Sequence, residues 1–162
     1  RVLCAHRRGE AGVESLNPAI EARLASAGLI KPRAEWYKGR PVMVTQNDTA
    51  LRLYNGDVGL AWPDAAGVLL VHFPDGKGGF RTFQPTRLPA HETVYAMTVH
   101  KSQGSEFGQV VLVLPDEKSP VLTRELIYTG VTRAVNGVTV IGSEEVLRAG
   151  VEAQVARASG VG

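Results

Sequence analysis

The chain has 162 residues, 44% of them hydrophobic, which excludes a disordered segment and suffices for one ordinary domain or a domain carrying a small insertion. The formal net charge of +2 and a pI near 8.9 are compatible with a nucleic-acid partner without demanding one. Cys4 is the only cysteine, so an internal disulfide framework and a Cys-rich zinc site are both excluded; together with the lack of an apolar run of about 18 residues, this fits a reducing, cytoplasmic setting.

Taken in order, Arg1 to Ala5 is short, apolar and strand-like, and the basic turn His6-Arg7-Arg8-Gly9 follows it. No basic-then-apolar leader precedes this run, and the sequence reads as an excised piece of a longer protein. Asn17 followed by Pro18 is a helix-start pattern: the Asn side chain accepts from orphan backbone amides, and Pro fills a position that needs no donor. A helix is expected from about Pro18 to Ala27, with Ile20, Leu24 and Ala27 on one face and Gly28 as the left-handed residue that ends it.

From Trp36 to about Leu88 short apolar runs alternate with turn residues. Val42 and Val44, then Val58, Leu60 and Trp62, then Val68 to Phe73, then Phe80 to Phe83 are strand candidates. Asn47-Asp48, Asn55-Gly56-Asp57, Pro63-Asp64 and Asp75-Gly76-Lys77-Gly78-Gly79 supply the turns. About five short strands in about fifty residues read as a small β-barrel. Trp36, Trp62 and Phe83 are either its core or exposed stacking platforms for bases.

An α/β pattern then resumes. Thr93 to Thr98 and Val110 to Leu114 are expected strands. A helix is expected over Pro120 to Val135, with Ile127, Val131, Ala134 and Val135 on one face; Gly137 would end it, and Val138 to Ile141 would form another buried strand. Ser143 has the character of an N-cap, leading into a helix with Leu147, Val151, Val155 and Ala158 as its apolar stripe and a frayed tail at Ser159 to Gly162.

Two stretches carry more chemistry than connections require. Thr98-Val99-His100-Lys101-Ser102-Gln103-Gly104-Ser105-Glu106-Phe107 places a hydroxyl, an imidazole, an ammonium, an amide and a carboxylate between two strands, the position where open α/β sheets bind ligands. In Thr123-Arg124-Glu125-Leu126-Ile127-Tyr128-Thr129-Gly130-Val131-Thr132-Arg133-Ala134, Arg133 stands amid apolar residues, where a guanidinium is costly to bury without an anion partner. That partner is either a bound ligand or one of the carboxylates Glu106 and Glu125.

The first stretch resembles motif V of superfamily 1 DNA helicases, with wording most similar to the RecD group of superfamily 1B, the alpha subunit of exodeoxyribonuclease V. The second resembles motif VI of the same group and follows in the expected order; the segment around Gly12 to Asn17 resembles the motif IV region more weakly. The resemblance implies an α/β fold: residues 1–35 and 89–162 as the second RecA-like motor domain, 2A, with residues 36–88 as an inserted SH3-like β-barrel, 2B. It further implies an ATP-dependent helicase that moves 5′ to 3′ on single-stranded DNA. Arg133 would be an arginine finger reaching ATP and Mg²⁺ held by the N-terminal motor domain of the same chain. Gly104, Ser105 and Glu106 would approach the nucleotide, and Thr98, His100, Lys101 and Ser102 the DNA backbone. The resemblance leaves two settings open, a parent that works alone and one that works in a complex with RecB- and RecC-like subunits. Two other readings compete: a Pif1-like or relaxase-type motor, and a non-catalytic SH3-like module that binds DNA or protein.

The sequence contains no G-x-x-x-x-G-K-[ST] loop, and Asp75 to Gly79 has neither the spacing nor the hydroxyl residue, so these residues alone are expected to hydrolyse no ATP. His6, His72, His91 and His100 are scattered, which predicts no metal site. Cys4, in an apolar run, reads as core rather than nucleophile.

Overall fold

The computed structural model describes residues 1–154. In chain order its elements are β1 (Val2–Cys4), α1 (Val13–Ser26), β2 (Pro41–Val44), β3 (Val58–Pro63), β4 (Leu69–Pro74), β5 (Phe80–Phe83), β6 (His91–Thr93), β7 (Ala96–Thr98), β8 (Phe107–Val113), α2 (Arg124–Val131), β9 (Ala134–Ile141) and α3 (Glu144–Glu152). They divide into two compact units, Arg1–Leu16 with the described chain from Ala96 onward, and Asn17–Tyr95; the division falls inside α1.

The first unit is a four-stranded, wholly parallel sheet in the order β7-β1-β8-β9. Parallel neighbours cannot be joined by tight hairpins, so each connection crosses over the sheet. Leu3 stands between Met97 and Leu112 in register, and with Val99, Val110 and Leu114 these residues are buried. Helix α2 packs on this layer through Gly130: a Cβ there would lie 3.2 Å from Leu112 Cδ1 and 3.3 Å from Val99 Cγ2, so the missing side chain sets how closely helix and sheet approach. Cys4 is fully buried in β1, and burial pushes its thiol up to about 11, which makes it an inert core residue.

Several expected boundaries move. Helix α1 begins at Val13, ahead of the Asn17-Pro18 pair, because the carbonyls of His6 and Arg7 accept from the Val13 and Glu14 amides at 3.1 and 2.9 Å and satisfy the first turn. Pro18 therefore sits within the helix, at the cost of one backbone bond. Of the face expected on this helix, Ile20 and Leu24 are only half-buried and Ala27 is exposed; Val13 is the buried residue. The expected helix over 120–135 is confined to Arg124–Val131, and Ala134 to Ile141 forms a strand running through Gly137. Pairing with β8, from Phe107↔Ala134 to Val113↔Ile141, and the β-branched content of this stretch outweigh its helical spacing. The buried positions of α2 are Leu126 and Gly130. In α3, Ser143 caps as expected by accepting from the Val146 amide at 3.2 Å, but the buried positions are Val146 and Gly150 while Val151 is 44% exposed. Val155, Ala158 and the tail 159–162 lie outside the described residues.

The second unit holds a five-stranded antiparallel sheet, β5-β4-β3-β2-β6. Its core is Val42, Val44, Leu53, Ala61, Val71 and Phe73. The turns are built as their composition predicts: Asp64 Oδ1 accepts from the Ala66 and Val68 amides, and Asp75 Oδ1 from the Lys77 and Gly79 amides at 2.7 and 2.9 Å. The last two bonds hold the Asp75 carboxyl below its usual range. The expected closed barrel is not found among the described residues: β5 and β6 remain the two edges of the sheet. Strand β6 spans only His91–Thr93, and the expected continuous strand 93–98 breaks at Val94 and Tyr95 before β7 joins the other sheet. Trp36 and Phe83 pack against the core, whereas Trp62 is 45% exposed with Lys38 Nζ 4.3 Å from its ring centroid. The Tyr37 hydroxyl donates to the Glu21 carboxylate and lies 2.9 Å from the Tyr95 hydroxyl, tying α1 to the end of the unit.

Candidate nucleotide and nucleic-acid site

The site lies in the first unit, along the crossover from the carboxyl end of β7 to the amino end of β8. The Val99 amide donates to the Cys4 carbonyl at 2.9 Å, and a single 3-10 turn, His100–Ser102, follows. Two of the four residues expected at the DNA backbone shape this turn. Thr98, 9% exposed, accepts the Lys101 amide on Oγ1 at 3.3 Å; Ser102, fully buried, donates its hydroxyl to the Val99 carbonyl at 2.6 Å. The Ser102 hydroxyl is therefore turned inward, committed to the backbone. His100 and Lys101 are exposed, and their side chains are the ones the turn presents outward. Beside them, His100 and Gln103 wall an open groove of about 590 Å³, whose other side is formed by Thr123, Glu125 and Thr129 of α2 and its cap.

Beyond the turn the chain reverses at Gly104, whose φ of +82° is the left-handed conformation and whose Cβ position has no atom within 4 Å. Ser105 and Glu106 follow, both exposed, and lead into β8. Arg133 stands immediately before β9, so Ser105 and Arg133 are neighbours at the amino end of the sheet while His100 is at the carboxyl end of β7. The sequence placed the whole loop at the carboxyl ends of the strands; only its first half is there.

Arg133 is held by neutral acceptors. Its Nε donates to the Thr129 carbonyl at 3.1 Å, Nη1 to the Ser105 carbonyl at 3.3 Å, and Nη2 to the Thr132 hydroxyl at 3.4 Å. Neither Glu106 nor Glu125 forms an ion pair with it. A guanidinium has five N–H donors, so two remain for an incoming anion, and the open space beside Gly104 admits a phosphate close to backbone. These residues suit an incoming anion. They do not fit a resident cation: among the described residues no group of three His, Cys, Asp or Glu side chains converges to hold a metal ion. Thr132 and the carbonyls of Ser105 and Thr129 are parts of the site that sequence reasoning missed; a hydroxyl residue directly before the arginine was the available signal.

Residues 93–141 match the family model of the UvrD-like helicase C-terminal domain. The chain is 46% identical over 165 residues to the RecBCD enzyme subunit RecD of Mycolicibacterium smegmatis, covering 99% of this chain and 28% of that protein. It is 45% identical over 166 residues to the RecBCD enzyme subunit RecD of Haemophilus influenzae, covering 100% of this chain and 24% of that protein. The crystal structure of the Pif1 helicase from Bacteroides in complex with ADP-AlF3 and ssDNA has a similar fold, with a TM-score of 0.52 at 18% identity over 86% of this chain and 40% of that one. The mixed α/β unit with its parallel sheet is thus of the helicase motor type. Within that class the chain is a RecD-like superfamily 1 helicase C-terminal region. It spans between 24% and 28% of the length of these RecD relatives.

Proposed function

We propose that the chain is the domain 2A region, with an inserted 2B domain over residues 36–88, of a cytoplasmic ATP-dependent DNA helicase that moves 5′ to 3′ on single-stranded DNA. The observation that carries this reading is Arg133, oriented by three acceptors with two N–H donors to spare, beside Gly104 and Glu106. In phosphoryl transfer negative charge spreads over the equatorial oxygens, and an added guanidinium stabilises that charge more than it stabilises bound ATP. The phosphate cradle belongs to an N-terminal motor domain of the same protein; Mg²⁺ bound there would neutralise charge on the β- and γ-phosphates. Gly104 admits the nucleotide close to backbone, and Glu106 serves its ribose. His100 and Lys101 grip phosphates of the strand along the groove beside α2, while Thr98 and Ser102 hold the turn that carries them.

The open antiparallel sheet takes the part of the SH3-like 2B domain, and the relatives named as RecBCD subunits support RecB- and RecC-like partners. The decisive experiment is Arg133→Ala in the full-length parent protein. ATP binding should stay nearly intact while DNA-stimulated turnover falls by about 10³-fold or more. Arg133→Lys should recover little, because a point ammonium lacks the planar fork. Turnover at the parental rate in the alanine variant refutes the assignment.

A further inference from the structure

Arg133 follows Thr132, the residue that caps the carboxyl end of α2. The Thr132 hydroxyl has one proton, and its oxygen lies 2.8 Å from the Tyr128 carbonyl and 3.2 Å from the Thr129 carbonyl. The proton is directed to those carbonyls, so the hydroxyl can meet Arg133 Nη2, 3.4 Å away, only as an acceptor. Back-bonding of a threonine to the preceding turn is ordinary helix chemistry and asks nothing of the next side chain. Here the same bond fixes the direction of the oxygen lone pairs, and those lone pairs meet the guanidinium.

The three acceptors grip three different nitrogens. Thr129 takes the Nε edge and Ser105 takes Nη1, both through backbone carbonyls that no side-chain replacement removes. Thr132 takes Nη2 and is the one grip supplied by a side chain. With Nε and Nη1 fixed by the backbone, the Nη2 contact decides the remaining rotation of the planar group, and so the direction of its two uncommitted N–H bonds.

We propose that Thr132 is a positioning residue for the Arg133 guanidinium, setting the direction in which it meets the transferring phosphoryl group. This rests on the reading of Arg133 given above. Its effect passes through Arg133, the side chain that its hydroxyl meets.

The test uses the full-length parent with single-stranded DNA and saturating ATP, comparing Thr132→Val, Thr132→Ser, Arg133→Ala and the Thr132→Val/Arg133→Ala double variant. Valine keeps the shape and removes the hydroxyl, so kcat should fall about tenfold, the scale of one hydrogen bond to a charged group, with KM for ATP unchanged. Serine should recover most of the loss. In the Arg133→Ala background the valine substitution should cost nothing further, because the group it positions is gone.

An unchanged kcat in Thr132→Val overturns the proposal. So does an equal fold-loss in both backgrounds, which would make Thr132 a helix-end stabiliser, and so does a serine variant as slow as the valine one. If Arg133→Ala itself leaves turnover unchanged, the finger assignment fails and the proposal falls with it; if Arg133→Ala is slow and Thr132→Val is not, the proposal alone fails.

Discussion

The Phe107 amide donates to the Arg133 carbonyl at 2.8 Å, fastening the first residue of β8 to the residue just before β9. Two residues upstream, Ser105 holds the Arg133 side chain through its own carbonyl. Backbone and guanidinium of the same arginine are thus both registered against the segment 105–107. The crossover that begins with the outward-facing His100 and Lys101 ends by gripping Arg133, so displacement of the turn at one end of the segment has a covalent and hydrogen-bonded route to the other.

In the full-length parent, Lys101→Ala and His100→Ala should weaken single-stranded DNA binding more than nucleotide binding. For Lys101→Ala the slope of log K against log salt should shrink by about 0.7, the value for one phosphate contact on a single strand. Ser102→Ala should behave differently: it removes a fully buried hydroxyl bonded to Val99, so it should lower the melting temperature and leave the salt slope unchanged. Oligonucleotide titrations at several salt concentrations separate the two classes, and an unchanged slope for Lys101→Ala removes that contact.

The 162-residue chain by itself should fold and hydrolyse no ATP, with or without single-stranded DNA, because the sequence has no phosphate loop and the described residues converge on no metal-ligand set. A coupled assay for released phosphate checks this. DNA-stimulated turnover by the purified chain would mean that the cradle had been missed.

Alkaline conditions should act on Cys4. Burial raises its thiol from an ordinary 9.0 to about 11, so the folded state favours the neutral form. Stability from this group is complete below the unfolded value and is lost as pH rises through the window from about 9 to about 11. Melting temperature should therefore decline more steeply over that window in the parent chain than in Cys4→Ala, whatever their offset at pH 8. Parallel declines would show that the thiol does not contribute.

His100 and Lys101 were readable as outward-facing residues because an exposed polar loop between two apolar runs is visible in one dimension. Ser102 was not, since nothing local says that its hydroxyl would be turned toward the Val99 carbonyl. The strands of the second sheet were legible from their turns, with Asp64 and Asp75 closing theirs as expected, whereas closure depended on whether β5 and β6 would meet, a pairing with no local signature. Helix α2 was predicted too long because Val131, Ala134 and Val135 keep helical spacing; the pairing of Ala134 with Phe107, far away in sequence, decides otherwise. The motif order singled out Arg133 as a candidate, but its carbonyl grips come from main chain, which residue identity does not report.

Gly130 seats the helix that Thr132 caps closely on the sheet, where a Cβ would come within 3.2 Å of Leu112 and 3.3 Å of Val99. Any replacement would have to lift the helix or push those side chains by a few tenths of an ångström, and the sheet beneath is too well packed to absorb such a shift silently. The tolerance of this part of the machine is therefore set where no chemistry occurs. A substitution at Gly130 would be felt as misalignment several residues away, and a search for impaired variants that looked only at groups facing ligand would pass it by.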